Sequence, residues 1–225
     1  DAFLSNNDEV EDRGYILVEV GAFKIKAGAD GFQAESALVL NGGDFEIETG
    51  GGSINGVQAA SKEVAIGKGQ WPGDGTRPAR GLTPGAAVVE REPSANSTAS
   101  VETDEATGGD WAEPNSESTK ALKAGGAVVI SGGTFVVDSA DDSIHSNGSI
   151  LIQGGIFELA SGDDGIHADA AIVIRDGEVR ISKSYEGVES ASIEILGGDL
   201  EIVSSDDGIN TSGGADGSSA GGQPG

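Results

Sequence analysis

Pairs of acidic residues recur in this chain at a nearly fixed step, and the chemistry open to such pairs is the binding of hard cations. Asp141-Asp142-Ser143-Ile144-His145-Ser146 is followed by Asp163-Asp164-Gly165-Ile166-His167-Ala168. Then come Tyr185-Glu186-Gly187-Val188-Glu189-Ser190 and Asp206-Asp207-Gly208-Ile209-Asn210-Thr211, at steps of 22, 22 and 21 residues. Carboxylates held in register repel one another by kilocalories or raise each other's pKa unless a counter-charge intervenes. No basic residue recurs at the neighbouring offsets of these copies to supply one. Ca²⁺ takes six to eight hard oxygen ligands in irregular geometry and suits such a site. The expected ligands are Asp141, Asp142, Asp163, Asp164, Glu186, Glu189, Asp206, Asp207 and Asn210. A single Asp-Asp-Gly would read as turn chemistry; the repetition in register favours metal.

The row three residues past the second acid, the fifth position of the motif, holds His145, His167, Glu189 and Asn210. With only two histidines amid oxygen donors and no Cys in the chain, a ligand-contact or surface role is expected of His145 and His167 rather than a transition-metal site. Tyr185 replaces the first acid in its copy and lies beside the rows, where a ring could stack on a sugar. Lys183, two residues earlier, is the best placed base should the protein be a lyase; Arg175 and Arg180 come next. Trp71 and Trp111 are the other candidate sugar contacts.

The elements that position these residues are short strands. Ser149-Ile150-Leu151-Ile152, then Gly154-Gly155, then Ile156-Phe157-Glu158-Leu159 alternates with period two on either side of a bend. Repeats at about 22 residues stack into apolar columns: Ile16, Leu38, Val128, Ile150, Ile172, Ile193; Val18, Leu40, Ile130, Ile152, Ile174, Ile195; Phe23, Phe45, Phe135, Phe157, Val179, Leu200; Ile25, Ile47, Val137, Leu159, Ile181, Ile202. A fifth column reads Phe32, Val57, Leu122, Ile144, Ile166, Val188, Ile209, with Val64 and Ile66 opening an intervening coil. One coil cannot bury its apolar side alone, whereas stacked coils share a continuous core. The expected fold is all-β, a right-handed single-stranded parallel β-helix over residues 1–211. One long loop, about 67–118, is inserted, and 212–225 is a flexible Gly/Ser-rich tail. The early coils, with Asp30, Asn55 and Lys120 at the motif position, read as scaffold.

Composition narrows the partners. The 38 acidic residues against 13 basic ones give a net charge of −25, which repels a nucleic-acid backbone. Absence of Cys excludes disulfides and thiol chemistry. No apolar stretch suggests membrane insertion, and the chain reads as a mature or trimmed segment, monomeric, secreted or displayed on a cell surface.

The ordered series from Asp142-Ser143-Ile144-His145 through Asp163-Asp164-Gly165-Ile166-His167 and Tyr185-Glu186-Gly187-Val188-Glu189 to Asp206-Asp207-Gly208-Ile209-Asn210 resembles the secreted parallel β-helix carbohydrate-binding domain family of clostridia and related bacteria. The resemblance covers Leu122–Gly214 and, in part, Tyr15–Ala60. It implies bound calcium, an architecture related to pectate lyases, and binding to plant-wall glycans such as cellulose and polygalacturonate. The function expected is therefore non-catalytic, calcium-dependent polysaccharide binding. The alternatives are a calcium-dependent lyase acting by β-elimination and a calcium-stapled structural or adhesion segment.

Overall fold

The structure is a computed structural model that describes residues 1–7, 13–56 and 118–211. Its strands form three all-parallel sheets, one strand per sheet in each coil. The coil Ile144–Ser146, Ser149–Ile152, Ile156–Ser161 is representative: a three-residue strand, a four-residue strand and a six-residue strand. The first sheet stacks Phe3–Ser5, Phe32–Ala34, Leu122–Ala124, Ile144–Ser146, Ile166–Ala168, Val188–Ser190 and Ile209–Asn210. The second runs from Tyr15–Val18 to Ile193–Ile195 and the third from Ala22–Ala27 to Asp199–Ile202, each with six strands. The chain is thus a β-solenoid of about six turns with coils of about 22 residues.

The first four apolar columns hold residue for residue: Ile150 pairs with Val128 above and Ile172 below, and Leu159 with Val137 and Ile181. The inward side chains of the middle coils are almost fully buried in one core, while Ile16, Phe23, Ile193, Leu200 and Ile202 at the ends are partly buried and Ile195 is exposed. Phe23, Phe45, Phe135 and Phe157 stack face to face along the axis, with centroids 5.0, 4.7 and 4.8 Å apart. This one column uses most of the chain's phenylalanines for cohesion. The bend leading into it requires glycine: Gly155 has φ +122°, and a Cβ there would lie 3.0 Å from the Phe157 ring.

The fifth column needs a correction. Phe32 pairs directly with Leu122, Leu38 with Val128 and Phe45 with Phe135, so no coil stands between them. Val57, expected in this column, and Val64 and Ile66, expected to open an intervening coil, lie outside the described residues. Asn55 is likewise no motif position, because Ser53–Asn55 is an exposed 3₁₀ turn. A seventh residue, Phe3, extends the column at its open end by stacking on Phe32 at 4.6 Å.

The chain leaves the solenoid after Asp44–Thr49 and returns before Leu122–Ala124, at the corner that joins the third sheet to the first. That corner carries the acid pairs in the later coils. The departing segment runs beside it: Ser53 N–H donates to Asp138 Oδ1 at 2.7 Å, and Lys183 Nζ donates to the Ser53 carbonyl. Gly56 and Gly162 meet backbone to backbone, since a Cβ on Gly56 would fall 2.2 Å from Gly162 Cα. The core of the expected insertion, with Trp71 and Trp111, lies outside the described residues, as does the tail. The described residues all fall within one compact unit.

Candidate metal and glycan site

The acidic corner is built by side-chain caps. A hydroxyl at the end of each long strand turns the chain: Ser139 Oγ donates to the Asp141 carbonyl at 2.9 Å and Ser161 Oγ to the Asp163 carbonyl at 3.0 Å. Backbone bonds then lock coil to coil, with Ser143 N–H donating to the Asp164 carbonyl, Gly165 N–H to Glu186 and Gly187 N–H to Asp207. The second acid of each pair adds a further cap. Asp142 Oδ1 accepts the Asp164 N–H at 3.0 Å, and Asp164 Oδ1 accepts the Glu186 N–H at 3.1 Å. One oxygen of each carboxylate therefore serves the turn, and the other faces the histidine of its own motif, His145 or His167. Turn chemistry and cation chemistry coexist here on different atoms of the same residues.

At the Asp142 end the counter-charge is internal. Lys120 Nζ lies 2.8 Å from Asp141 Oδ1 and 2.6 Å from Asp142 Oδ2, with its side chain fully buried. Asp30 Oδ1 holds the Lys120 backbone N–H at 2.8 Å. Lys120 and Asp30 are thus parts of the site rather than scaffold, and the expectation that no base neutralises the acids fails at Asp141 and Asp142. The signal was present in the sequence: Lys120 stands in the column of Asp142, Asp164, Glu186 and Asp207. Burial by itself would raise the Asp142 pKa, but Lys120 and then His145 outweigh it and hold the carboxyl well below its usual range. Burial likewise works against the Lys120 charge, and Asp142 with Asp141 overrides it, raising the ammonium above the ordinary lysine value.

Below this pair the sign reverses. Asp163 is pushed from 3.8 to about 8, by burial first and then by Asp142, Asp164 and Asp141. Burial also raises Asp164, against the hydrogen bond from His167. Glu189 is pushed from 4.5 to about 7 by burial and by its shared hydrogen bond and charge with Asp164. Glu186 is raised by burial, against a bond from Asn210, with Glu189, Asp206 and Asp207 adding to the shift. Lys120 offsets the rise only in part at Asp163, as His167 does at Asp164 and Glu189.

The histidines differ from expectation. Both side chains are fully buried, so the surface or sugar-contact role does not hold. Their row does point away from the apolar core, but polar neighbours enclose it. His145 Nδ1 is 2.8 Å from Asp142 Oδ2 and Nε2 is 2.8 Å from Asn147 Oδ1. His167 Nδ1 lies 3.2 Å from Asp164 Oδ2 and 3.3 Å from Glu189 Oε2, and its Nε2 lies 3.3 Å from Asp169 Oδ1. Asn147 and Asp169, each two residues past a histidine, were not singled out from sequence.

Of the remaining candidates, Tyr185 is half-buried, and its backbone N–H donates to the Asp163 carbonyl at 2.7 Å. Lys183 follows a bulge that takes Ser182 out of register, and its ammonium holds the Ser53 carbonyl rather than a carboxylate. Arg180 lies on the outer face of the third sheet between Glu158 and Glu201, at 3.9 and 3.7 Å. Asp206 and Asp207 are exposed at the last described coil, and Asn210 Nδ2 donates to Glu186 Oε1 at 2.8 Å.

Three groups bring ligand atoms within 4.8 Å of one another: Asp141, Asp142 and Asp163; Asp142, His145 and His167; and Asp164, His167 and Glu189. Buried acidic and histidine clusters able to hold a metal ion are therefore present. A carbohydrate-binding domain-containing family model matches residues 1–165 and again 163–208. The chain belongs to that family. Membership supports polysaccharide binding, and hence a polysaccharide partner, for the solenoid just described. No curated protein and no solved structure matches the chain. Among the described residues no helix is long and apolar enough to cross a membrane.

Proposed function

We propose that this protein is a non-catalytic, calcium-dependent binding module for acidic plant-wall polysaccharide, acting as a monomer outside the cell. The observation that carries the reading is Glu186 Oε2, a buried carboxylate oxygen with no hydrogen-bond partner among the described residues. Glu189, Asp206 and Asp207 are near enough to raise the Glu186 pKa further. An orphaned oxygen amid uncompensated acids fits a hard divalent cation, whose charge would replace the missing counter-ion. Glu186, Glu189, Asp206 and Asp207 would hold it, with Asn210 beside them.

Bound there, calcium would supply a positive bridge between protein carboxylates and the carboxylates of a uronate chain. This resolves the association of an acidic protein with an acidic sugar. Aromatic stacking is a poorer route for the described faces, because four phenylalanines are spent on the axial column, Phe32 is buried, and Phe3, Tyr15 and Tyr185 are scattered over different coils. Acidic glycans such as polygalacturonate are accordingly preferred over neutral cellulose. A lyase would need a free base beside the cation. Lys183 is instead engaged by the Ser53 carbonyl, and Arg180 sits in the outer charged row.

The test is co-sedimentation with insoluble polygalacturonate and with cellulose, in Ca²⁺ and in chelator, alongside an assay for unsaturated products. Retention on polygalacturonate only with Ca²⁺, and no products, is expected. Calcium-independent retention, or sustained product formation, would overturn the proposal.

A further inference from the structure

We infer that the two ends of the solenoid are complementary docking faces, and that a second copy of this chain stacks head to tail on the first and continues its sheets. This goes beyond the proposed function, for which the dilute single module suffices; ends meet where copies are concentrated, as on one polysaccharide chain. Three observations carry it. The first is hydrogen bonding at the corner between the second and third sheets. In each coil an N–H here donates to a carbonyl of the coil before: Asn41 to Val18 at 2.8 Å, Arg175 to Ile152 at 2.8 Å and Leu196 to Ile174 at 2.7 Å. Asp44 N–H likewise donates to Gly21 and Asp199 N–H to Gly177, both at 2.8 Å. Tyr15–Val18 and Ala22–Ala27 end their sheets on one side, Ile193–Ile195 and Asp199–Ile202 on the other. Glu19 and Ala22 are therefore donors with no coil before them among the described residues, and Ile195 and Gly198 are acceptors with no coil after them. Donors at one end match acceptors at the other, so at this corner unlike ends pair and like ends do not.

The second observation is the state of the apolar columns. In the middle coils Ile150, Ile174 and Phe157 are at most 1% exposed, because a coil covers each side. At the ends Ile16 and Phe23, and on the other side Ile193, Leu200 and Ile202, are only partly buried, while Ile195 is 43% exposed. Continuing the register sets Ile193 on Ile16, Ile195 on Val18, Leu200 on Phe23 and Ile202 on Ile25, apolar on apolar at each step. Residues 212–225 contain no Val, Ile, Leu or Phe to supply those partners.

The third is charge. The outer row of the third sheet reads Lys24, Glu46, Val136, Glu158, Arg180, Glu201. Its cations face acids of adjacent coils, Lys24 Nζ at 2.5 Å from Glu46 and Arg180 Nε at 3.7 Å from Glu201. Head-to-tail stacking sets Lys24 of one copy against Glu201 of the other. Joining like ends would bring lysines to lysines or acids to acids. Lysines on an edge strand ordinarily discourage pairing; here they select the acidic edge of a second copy. Such a contact is heterologous and does not close on itself, so copies add in series.

The test is sedimentation velocity of the whole chain over a wide concentration range, in Ca²⁺ and at about 0.15 M salt, where charges are screened beyond about 8 Å. Screening matters because a net charge of −25 on each copy opposes contact. Monomers at low concentration, and dimers followed by longer species at high concentration, are expected. The Lys24 and Glu201 side chains are 79% and 66% exposed, so reversing either charge leaves the core untouched. Lys24→Glu or Glu201→Lys alone places like charges at every joint and should weaken association about three- to tenfold. Mixing the two variants sets the natural Glu201 of one against the natural Lys24 of the other, and should restore association. A chain that stays monomeric at every concentration, association that stops at a closed dimer, or a mixture no stronger than either variant alone would each overturn the inference. The glycan assay uses the dilute natural sequence, so failure there leaves this result standing, and the reverse.

Discussion

Lys120 Nζ lies 2.6 Å from Asp142 Oδ2, in the column where each of the next coils places an acid, so one coil of the solenoid carries its own cation. The ammonium holds two carboxylates with its side chain wholly buried. The same corner chemistry is thus solved internally at Asp141 and Asp142 and only partly offset at Asp163, Asp164 and Glu189, whose carboxyls stay raised.

Replacing Lys120 by Met should expose that difference. Removing one partner of a buried ion pair leaves an uncompensated charge and costs about 3–5 kcal/mol. In chelator, Lys120→Met is expected to unfold at markedly lower denaturant. Added Ca²⁺ should recover much of the loss, and calorimetry should count one more calcium than in the natural sequence. A variant that calcium neither rescues nor occupies would show that Lys120 is no stand-in for a metal.

The raised carboxyls predict how metal-free stability varies with pH. Asp163 and Glu189 have folded values of about 8 and about 7, above their ordinary 3.8 and 4.5. The folded state therefore binds more protons than the unfolded chain between roughly pH 4 and 8, and stability must fall as pH rises through that window. Asp142 works in the opposite sense but below it, since its pKa is depressed and its contribution is lost only in strong acid. In chelator the melting temperature should decline from pH 5 to pH 8. In calcium the decline should flatten, because the ion replaces the protons. A metal-free melting temperature that rises over this range would show that Asp163 and Glu189 are not raised in the folded state.

Sequence reading recovered the repeat because its columns are chemically uniform: Ile150 above Ile172, Phe135 above Phe157. It misplaced Val57 because one excursion and one apolar residue imitate a coil, and only hydrogen bonding shows that Phe32 N–H donates to the Ala121 carbonyl. It found the acids and missed their neutraliser. A lysine in an acidic column looks like a lapse of the pattern until the pleat is seen to aim it at the next coil. Burial of His145 and His167 was illegible for a related reason. Alternation gives which side of the strand a residue takes, not whether Asn147, Asp169 and Glu189 close over it.

Glu186→Gln tests the calcium site with little disturbance. The amide keeps an oxygen for Asn210 Nδ2, which now lies 2.8 Å from Glu186 Oε1, and removes a charge that burial disfavours. Metal-free stability should therefore hold or improve, while calcium affinity drops by about tenfold or more through loss of a charged ligand. Retention on polygalacturonate should fall in step. Calorimetry and co-sedimentation on the same preparation check both. Intact calcium affinity would move the site away from Glu186.

Phe135 offers a test of the scaffold that leaves the acids alone. Its ring is sandwiched between Phe45 at 4.7 Å and Phe157 at 4.8 Å, tilted by 1° and 4°, and it is fully buried. Truncation to Ala removes contacts on both faces and opens a cavity that neighbouring coils cannot close without breaking their register, at a cost of about 3–5 kcal/mol. Phe3 is the control, since it stacks on one side only and is 41% exposed, so Phe3→Ala should cost clearly less. Denaturant midpoints for the two variants give the comparison, with an unchanged slope showing that the whole stack still unfolds together. Equal losses at both positions would mean that stacking continuity along the axis contributes little. A lowered slope in Phe135→Ala would mean that the column, rather than the hydrogen-bonded ladders alone, couples one coil to the next.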